Sequence, residues 1–396
     1  MRQYARITPE GTRDRLFEEC RRRRSVENEL RQLYQNYAYS EVMTPSLEFF
    51  DVFAEGIGEI SQNELYTLTD NSGRLMVLRP DSTKPIARLF AAKLQNLELP
   101  LRLFYNQAVF RRNIHYDKKS DEIMQIGVEL IGAGTFQADA EAVFLCAATL
   151  QKLFGRDFLL EIGHVDFVNL LLKQFDLPPE REEAVRAAVA QKNRPELCRL
   201  MKDQPKQGER LAELVGLFGG PEVLEAGKKS FPEPVFAPVF DYLTAVADFV
   251  GGLGLRDKVL LDLAVANDYQ YYTGVVFKGF VGGLGAEVLS GGRYDTLYGD
   301  YGLNIPAIGF GVNVDAVSKG LKDRGRKSES KPLHLVRCQP GCEGRALEWI
   351  RAESRKGERC EFALSEDPAE VLAYARAKGA VSIVEVGPDG VREERL

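Results

Sequence analysis

The sequence predicts an α+β chain: an antiparallel sheet flanked by helices, interrupted by a helical insertion and followed by a small α/β domain. Three observations carry this. Short β-branched or aromatic runs cluster at 76–79, 102–110 and 124–131 and return at 259–265, 271–280 and 286–289. Between these groups, 178–257 keeps a helical and charged pattern. Beyond the charged stretch KGLKDRGRKSESK at 319–331, apolar runs and helical patterns alternate as βαβαβ. The expected boundaries are a core over 1–320, a linker over 321–331 and a C-terminal domain over 332–396, which suits a chain of 396 residues.

Taken in order, Leu16, Phe17, Cys20, Val26, Leu30, Leu33 and Tyr34 share one face of a helix predicted over 14–34, after Pro9 and Gly11. Arg21 to Arg24 lie within it and read as a solvated helix face or as a patch for an anion or partner. The first three strands are bounded by Asp70-Asn71-Ser72-Gly73 and by the polar segment 112–122, so they read as antiparallel neighbours. Helices follow over 138–154 and 165–175. The insertion is broken at Gly219-Gly220-Pro221 and by Pro232, Pro234 and Pro238. After the second strand group, Ser290-Gly291-Gly292-Arg293 reads as a glycine-rich turn. The last domain is expected to hold strands at 333–337, 360–364 and 381–386, with helices at 342–356 and 368–378.

Composition narrows the function. Lysine plus arginine total 52 against 58 acidic residues, a net charge of −6, which is a poor match for a polyphosphate partner and argues against nucleic acid. No run of about 18 apolar residues is apparent, so no membrane segment is expected. The start, MRQYARITPEGTRD, has no apolar h-region and does not read as a secretory signal. The six cysteines are scattered, and the three histidines, His115, His164 and His334, form no ligand pattern. Reduced thiols, no metal, no cofactor and a cytoplasmic setting are expected. His164 and His334 read as ordinary core or surface histidines.

Several polar residues interrupt apolar strand runs: Arg79 with Asp81 and Thr83, Arg111, Gln125 with Glu129, and Tyr271 with Tyr272. Gln125, Gly127 and Glu129 are spaced by two and project from one strand face. Such a face must be wet or hold a ligand, because an unpartnered buried carboxylate is costly. Singly, each residue reads as an ordinary hydrogen-bonded polar group. Together they suggest an amino-acid pocket, with acids for an α-ammonium, an arginine for a carboxylate and tyrosines to wall a ring. SGGRYD (290–295) reads as a turn bringing backbone to that ligand or as a bend between core strands, with Arg293 and Tyr294 in support.

These segments resemble class II histidyl-tRNA synthetases in order and spacing over about 8–320. TPEGTRD is similar to the family's opening segment. YSEVMTPSLEFFDVF resembles motif 1, with Pro45 as its proline, and LRPDST the first substrate segment. FRR…MQIGVELIG resembles motif 2, and YYTGVVF with SGGRYD the two histidine signatures. The resemblance implies a class II aminoacyl-tRNA synthetase-like fold, a homodimer through motif 1 and a histidine pocket. Thr83, Arg111, Gln125, Glu129, Tyr271 and Tyr272 match that pocket outright, while Asp81 stands for the family's glutamate, one methylene shorter.

The adenylation side departs from the family. Asn113 stands where motif 2 has a glutamate that helps hold ATP. Asn267 stands where an arginine contacts the reacting carboxylate and phosphate, and Ala316 where motif 3 has its triphosphate arginine. The second arginine of the motif 2 loop falls on or near Asp121. Each lost contact is worth a few kcal/mol of transition-state stabilisation, roughly, so no synthetase chemistry is expected. Arg112, Lys118 and Lys119 are the nearby cations that could compensate, and an active synthetase or related adenylating ligase is the rival reading. Residues 331–396 hold 11 Lys+Arg against 12 Asp+Glu, too neutral and too short for an anticodon reader. A synthetase-like core without its catalytic cations and with such a tail is similar to the regulatory subunits of ATP phosphoribosyltransferase. That resemblance implies a non-catalytic chain that joins a short-form catalytic subunit in a hetero-oligomer for the first step of histidine biosynthesis, with histidine as feedback ligand.

Overall fold

The computed structural model describes residues 4, 6–54, 62–113, 120–265, 272–326 and 331–396. The chain forms two compact units, Met1–Arg326 and Lys327–Leu396.

The first unit opens with α1 (Phe17–Asn36), whose Val26, Leu30 and Tyr34 are buried, at the helical spacing the sequence predicts. The arginine run is not a uniformly solvated face. Arg22 is buried and pairs with Glu18, while Arg23 and Arg24 both bind the buried Glu27. Then come β1 (Ser40–Glu41), β2 (Leu47–Phe49), the short helix α2 (Asp51–Ala54), β3 (Thr67–Thr69), β4 (Leu75–Leu78) and α3 (Thr83–Leu89). The long strands β5 (Leu101–Phe110) and β6 (Glu122–Ile131) form an antiparallel pair, followed by α4 (Phe136–Phe154), β7 (Leu159–His164) and α5 (Val165–Leu172).

The expected helical insertion contains α6 (Pro179–Ala190), α7 (Arg194–Leu200), α8 (Pro205–Leu214), the two-residue strand β8 (Phe218–Gly219), α9 (Val223–Ser230) and α10 (Ala237–Gly252). Phe167 of α5 stacks on Phe236 with ring centroids 4.7 Å apart and meets Phe231 and Phe240 edge-on, so the insertion is cemented to the core by aromatic packing. The stretch Pro234–Gly252 is long and apolar enough, by length and composition, to cross a membrane, which corrects the expectation that no such segment exists. Within it Val239, Phe240, Leu243, Val246 and Val250 are buried in the protein's own core.

β9 (Val259–Asp262), β10 (Val275–Phe280), β11 (Glu287–Arg293), β12 (Ala307–Asn313) and α11 (Val314–Asp323) complete the unit. The main sheet has nine strands in the order β1-β5-β6-β12-β11-β10-β7-β9-β8, and β2-β4-β3 form a separate small sheet. The main sheet is not purely antiparallel: β1 runs parallel to β5 and β7 parallel to β9. Ser290–Arg293 is not a turn but the end of β11, hydrogen-bonded to β10 and β12. α11 also extends into the stretch expected as linker, because Leu321 continues the apolar spacing of Val314 and Val317 and is buried with them. Residues 327–330 lie outside the described residues.

The second unit carries β13 (Leu333–Cys338), α12 (Glu343–Arg355), β14 (Arg359–Phe362), α13 (Pro368–Lys378), β15 (Ala380–Gly387) and β16 (Gly390–Arg395), with sheet order β14-β13-β15-β16. The alternating βαβαβ is parallel, as expected; the hairpin strand β16 adds an antiparallel edge that its charged residues did not advertise. All six cysteines are free.

Candidate functional site

β6 supplies the floor of the site. Gln125, Gly127 and Glu129 share its pocket face and lie opposite Gln107, Tyr105 and Leu103 of β5 and Asn313, Gly311 and Gly309 of β12. Gly309 is needed because a Cβ there would collide with the Glu129 carboxylate and the Val128 carbonyl. Gly292 serves the Tyr272 ring, whose nearest atom would lie 2.9 Å from an added Cβ. The glycines of SGGRYD thus make room on a strand rather than bend a turn.

Glu129 is 1% exposed. Its Oε1 accepts a hydrogen bond from Thr83 Oγ1 at 2.9 Å and its Oε2 one from the Tyr294 hydroxyl. Burial pushes its pKa up to about 8, the two hydroxyls pull it down and the charge of Asp81 pushes it further up. Asp81, also buried, accepts from the Lys84 main-chain N–H at 3.0 Å and thereby caps the start of α3. Burial raises its pKa as well, against the opposing pull of that N–H, Arg111 and Lys84. Arg111 enters from the end of β5, donating from Nε to the Pro80 carbonyl at 2.7 Å. Tyr105 donates to Gln125 Oε1 at 3.3 Å, and burial holds its hydroxyl well above the usual phenol range.

Asp81, Thr83, Arg111, Gln125 and Tyr272 therefore face one cavity, joined by Tyr294 and Tyr105. Glu129 sits in its wall through Thr83 and Tyr294. Tyr271 and Asn267 lie outside the described residues. Arg79, grouped with Asp81 by sequence proximity, faces elsewhere: its guanidinium donates to the carbonyls of Thr44, Pro45 and Ala108 at 2.6, 2.9 and 2.7 Å. Tyr105 was missed because its place depends on pairing with Gly127 across the sheet. The cavity has a volume of about 30 Å³, room for a water or two. A larger, mostly apolar groove of about 810 Å³ lies away from these polar groups, between Tyr37–Val42, Leu94–Leu103 and Glu141–Leu145.

The positions that depart from the family are tied to the protein itself. Asp121 ends the β5–β6 connection, buried immediately before β6, where it accepts from the Tyr66 hydroxyl and from the Asn113 N–H at 3.1 Å. Gly11, at φ +74°, lies directly over this carboxylate and takes the Asp121 N–H on its carbonyl at 2.8 Å. Arg112 lies over the Tyr66 ring at 5.3 Å; Lys118 and Lys119 are outside the described residues. Ala316 is half-buried in the first turn of α11, its N–H donating to the Asn313 side chain. Its neighbour Asp315 accepts from the Met124 N–H at 2.9 Å and pairs with Arg15 at 3.2 Å. Among the described residues no cluster of His, Cys, Asp and Glu could hold a metal ion. His164 caps α5, and His334 bonds Ser382 at 2.7 Å.

The family model described as histidyl-tRNA synthetase matches residues 11–317. The ATP phosphoribosyltransferase regulatory subunit of Clostridium acetobutylicum is 36% identical over 92% of this chain and 91% of its own length. That of Clostridium kluyveri is 35% identical over 96% and 98%. A crystal structure described as an ATP phosphoribosyltransferase regulatory subunit/histidyl-tRNA synthetase from Bacillus halodurans superposes with a TM-score of 0.84 at 28% identity, covering 97% of this chain and 98% of that one. The histidyl-tRNA synthetase of a Nostoc species shares the fold, with a TM-score of 0.79 at 20% identity over 98% and 96%. With a synthetase-like core and relatives this similar along nearly their whole length, the chain belongs to the family of ATP phosphoribosyltransferase regulatory subunits.

Proposed function

We propose that the chain binds histidine in the cavity between α3, β6, β11 and β12 and uses that binding to regulate a short-form catalytic ATP phosphoribosyltransferase subunit. One observation carries this: the amino-acid half of the site is assembled while the nucleotide half is occupied by the protein's own contacts. Asp81 and Glu129 face the α-ammonium and the ring, Arg111 takes the carboxylate, and Gln125, Thr83, Tyr271, Tyr272 and Tyr294 orient the molecule. Asn113, Asn267 and Ala316 supply none of the charge that adenylation needs, so the chain has no synthetase activity of its own.

A cavity of about 30 Å³ does not hold histidine without opening. Ligand entry therefore separates the Thr83–Glu129–Tyr294 contacts, giving a closed empty state and an open bound one. Regulation follows if the catalytic partner prefers one of them, since a ligand shifts an equilibrium only by its differential affinity. The assembly is a homodimer within a hetero-oligomer. Exposed Met43, Leu47 and Phe49 on the motif 1 segment support the homodimer contact. The near-neutral C-terminal domain has no nucleic acid partner, and the complex works in the cytoplasm.

The test is to mix the purified chain with the short catalytic subunit and follow phosphoribosyl transfer with and without histidine. Transfer that needs the chain, is inhibited by histidine and loses that inhibition in Glu129→Ala is expected. Histidine-dependent ATP/pyrophosphate exchange by the chain alone would overturn the reading.

A further inference from the structure

Ser82 stands between two residues of the cavity, Asp81 and Thr83, and lines it beside them. It is 1% exposed, and its Oγ is a buried polar atom with no hydrogen-bond partner among the described residues. Its position in the chain would ordinarily give it one. Ser82 precedes α3 at the cap position, where a serine hydroxyl takes an N–H of the first turn, yet it makes no such bond. Asp81 has that role instead: its carboxylate accepts the main-chain N–H groups of Thr83 and of Lys84, the latter at 3.0 Å. The Ser82 carbonyl still accepts from the Ile86 N–H at 3.1 Å. The residue is thus fixed at the helix start by its main chain, while its hydroxyl contributes nothing to the fold.

Buried hydroxyls in folded proteins are nearly always paired. With no described residue serving this one, the group left to pair with it is what enters the cavity. The hydroxyls of Thr83 and Tyr294 are bonded to Glu129 and must exchange that partner to meet a ligand, whereas Ser82 has no such bond to give up. An α-ammonium brings three N–H donors and is best served by three acceptors. Under the histidine reading the ligand's carboxylate is answered by Arg111, so the ammonium is the group that calls for another oxygen. We infer that Ser82 is a further ligand-contacting residue of the cavity, whose oxygen accepts from the α-ammonium of the bound amino acid next to the Asp81 carboxylate. This inference rests on the histidine reading of the cavity.

The test is calorimetric titration of the full chain, alone and with its catalytic partner, combined with melting of the ligand-free chain. Two probes are used: histidine, and histidine methyl ester, which keeps the ammonium and masks the carboxylate. Ser82→Ala is expected to weaken both by a similar factor, roughly five- to fiftyfold, the worth of one hydrogen bond to a charged group. Its melting temperature should stay level or rise, because the variant deletes a polar atom that the empty fold leaves unpaired. A structural role would lower melting temperature and affinity together, and that result overturns the inference, as do unchanged affinities. Loss confined to histidine, with the ester unmoved, would give the hydroxyl to the carboxylate and overturn the ammonium contact. If the ester does not bind the unaltered chain, histidine affinity and melting decide. Ser82→Gly removes the same atom and should repeat the affinity loss; it decides alone if Ser82→Ala does not fold, with unchanged affinity counting against the proposal. Histidine binding that survives Glu129→Ala unaltered, or that the unaltered chain lacks in both settings, removes the cavity reading itself. Binding lost in Glu129→Ala but unmoved by Ser82→Ala sinks only the role of Ser82.

Discussion

The two halves of the synthetase-like site have been treated in opposite ways. On the amino-acid side, buried polar groups converge on a cavity, and glycines at 292 and 309 give their space to neighbouring side chains. On the nucleotide side, the acids are consumed internally: Asp121 by Tyr66, Asn113 and the Gly11 segment, Asp315 by Met124 and Arg15. These acids are engaged by the protein's own donors, so placing a cation at Asp121 meets a structural penalty.

Asp121→Arg is the most severe test of that contrast. It puts a cation into a buried site and orphans the Tyr66 and Asn113 donors, which should cost roughly 3–5 kcal/mol. Chemical denaturation checks it, and a neutral result would mean that the nucleotide half is still open.

Glu129→Gln should act with the opposite sign. The carboxyl titrates near 4.5 in an unfolded chain and near 8 when buried, so the folded state holds a proton that the unfolded state has released across that window. Wild-type stability falls as pH rises from about 4.5 to 8 and is constant above. The glutamine variant escapes this penalty, and its advantage should grow to roughly 2–4 kcal/mol by pH 8. Melting temperatures of both proteins from pH 5 to 9 measure it, while histidine affinity should drop at least about tenfold.

Gly309→Ala drives a methyl group into the Glu129 carboxylate and the Val128 carbonyl. A loss of roughly 1–3 kcal/mol and of histidine binding is expected, read from melting and titration together. Asp315→Asn keeps an acceptor for Met124 but loses its partly exposed ion pairs, for about 0.5–1 kcal/mol. A loss several times larger would show that the Asp315 contacts hold the nucleotide half together more firmly than those of Asp121.

The alternation of Gln125 and Glu129 was legible because a strand's period of two needs no tertiary knowledge. So were β5, β6, the βαβαβ tail and the later turns of α1, but Leu16, Phe17 and Cys20, expected on the same buried face of that helix, are exposed. Ser290–Arg293 misled because glycine marks both turns and close approach, and only the neighbouring Tyr272 ring and the Phe310 backbone distinguish them. Arg79 read as a ligand group because sequence shows charge but not the three carbonyls that absorb it.

That arginine makes the cavity mechanically asymmetric. Its guanidinium fastens 44–45, 79 and the end of β5 together, so the wall that carries Asp81 and Arg111 is a fixed jamb anchored in main-chain carbonyls. Glu129 of β6 is held by the hydroxyls of Thr83 and Tyr294, bonds that a ligand can exchange for its own. If histidine enters the cavity as proposed, hydrogen exchange on adding it should change around 290–301 while the amides of 79 and 108–111 stay protected.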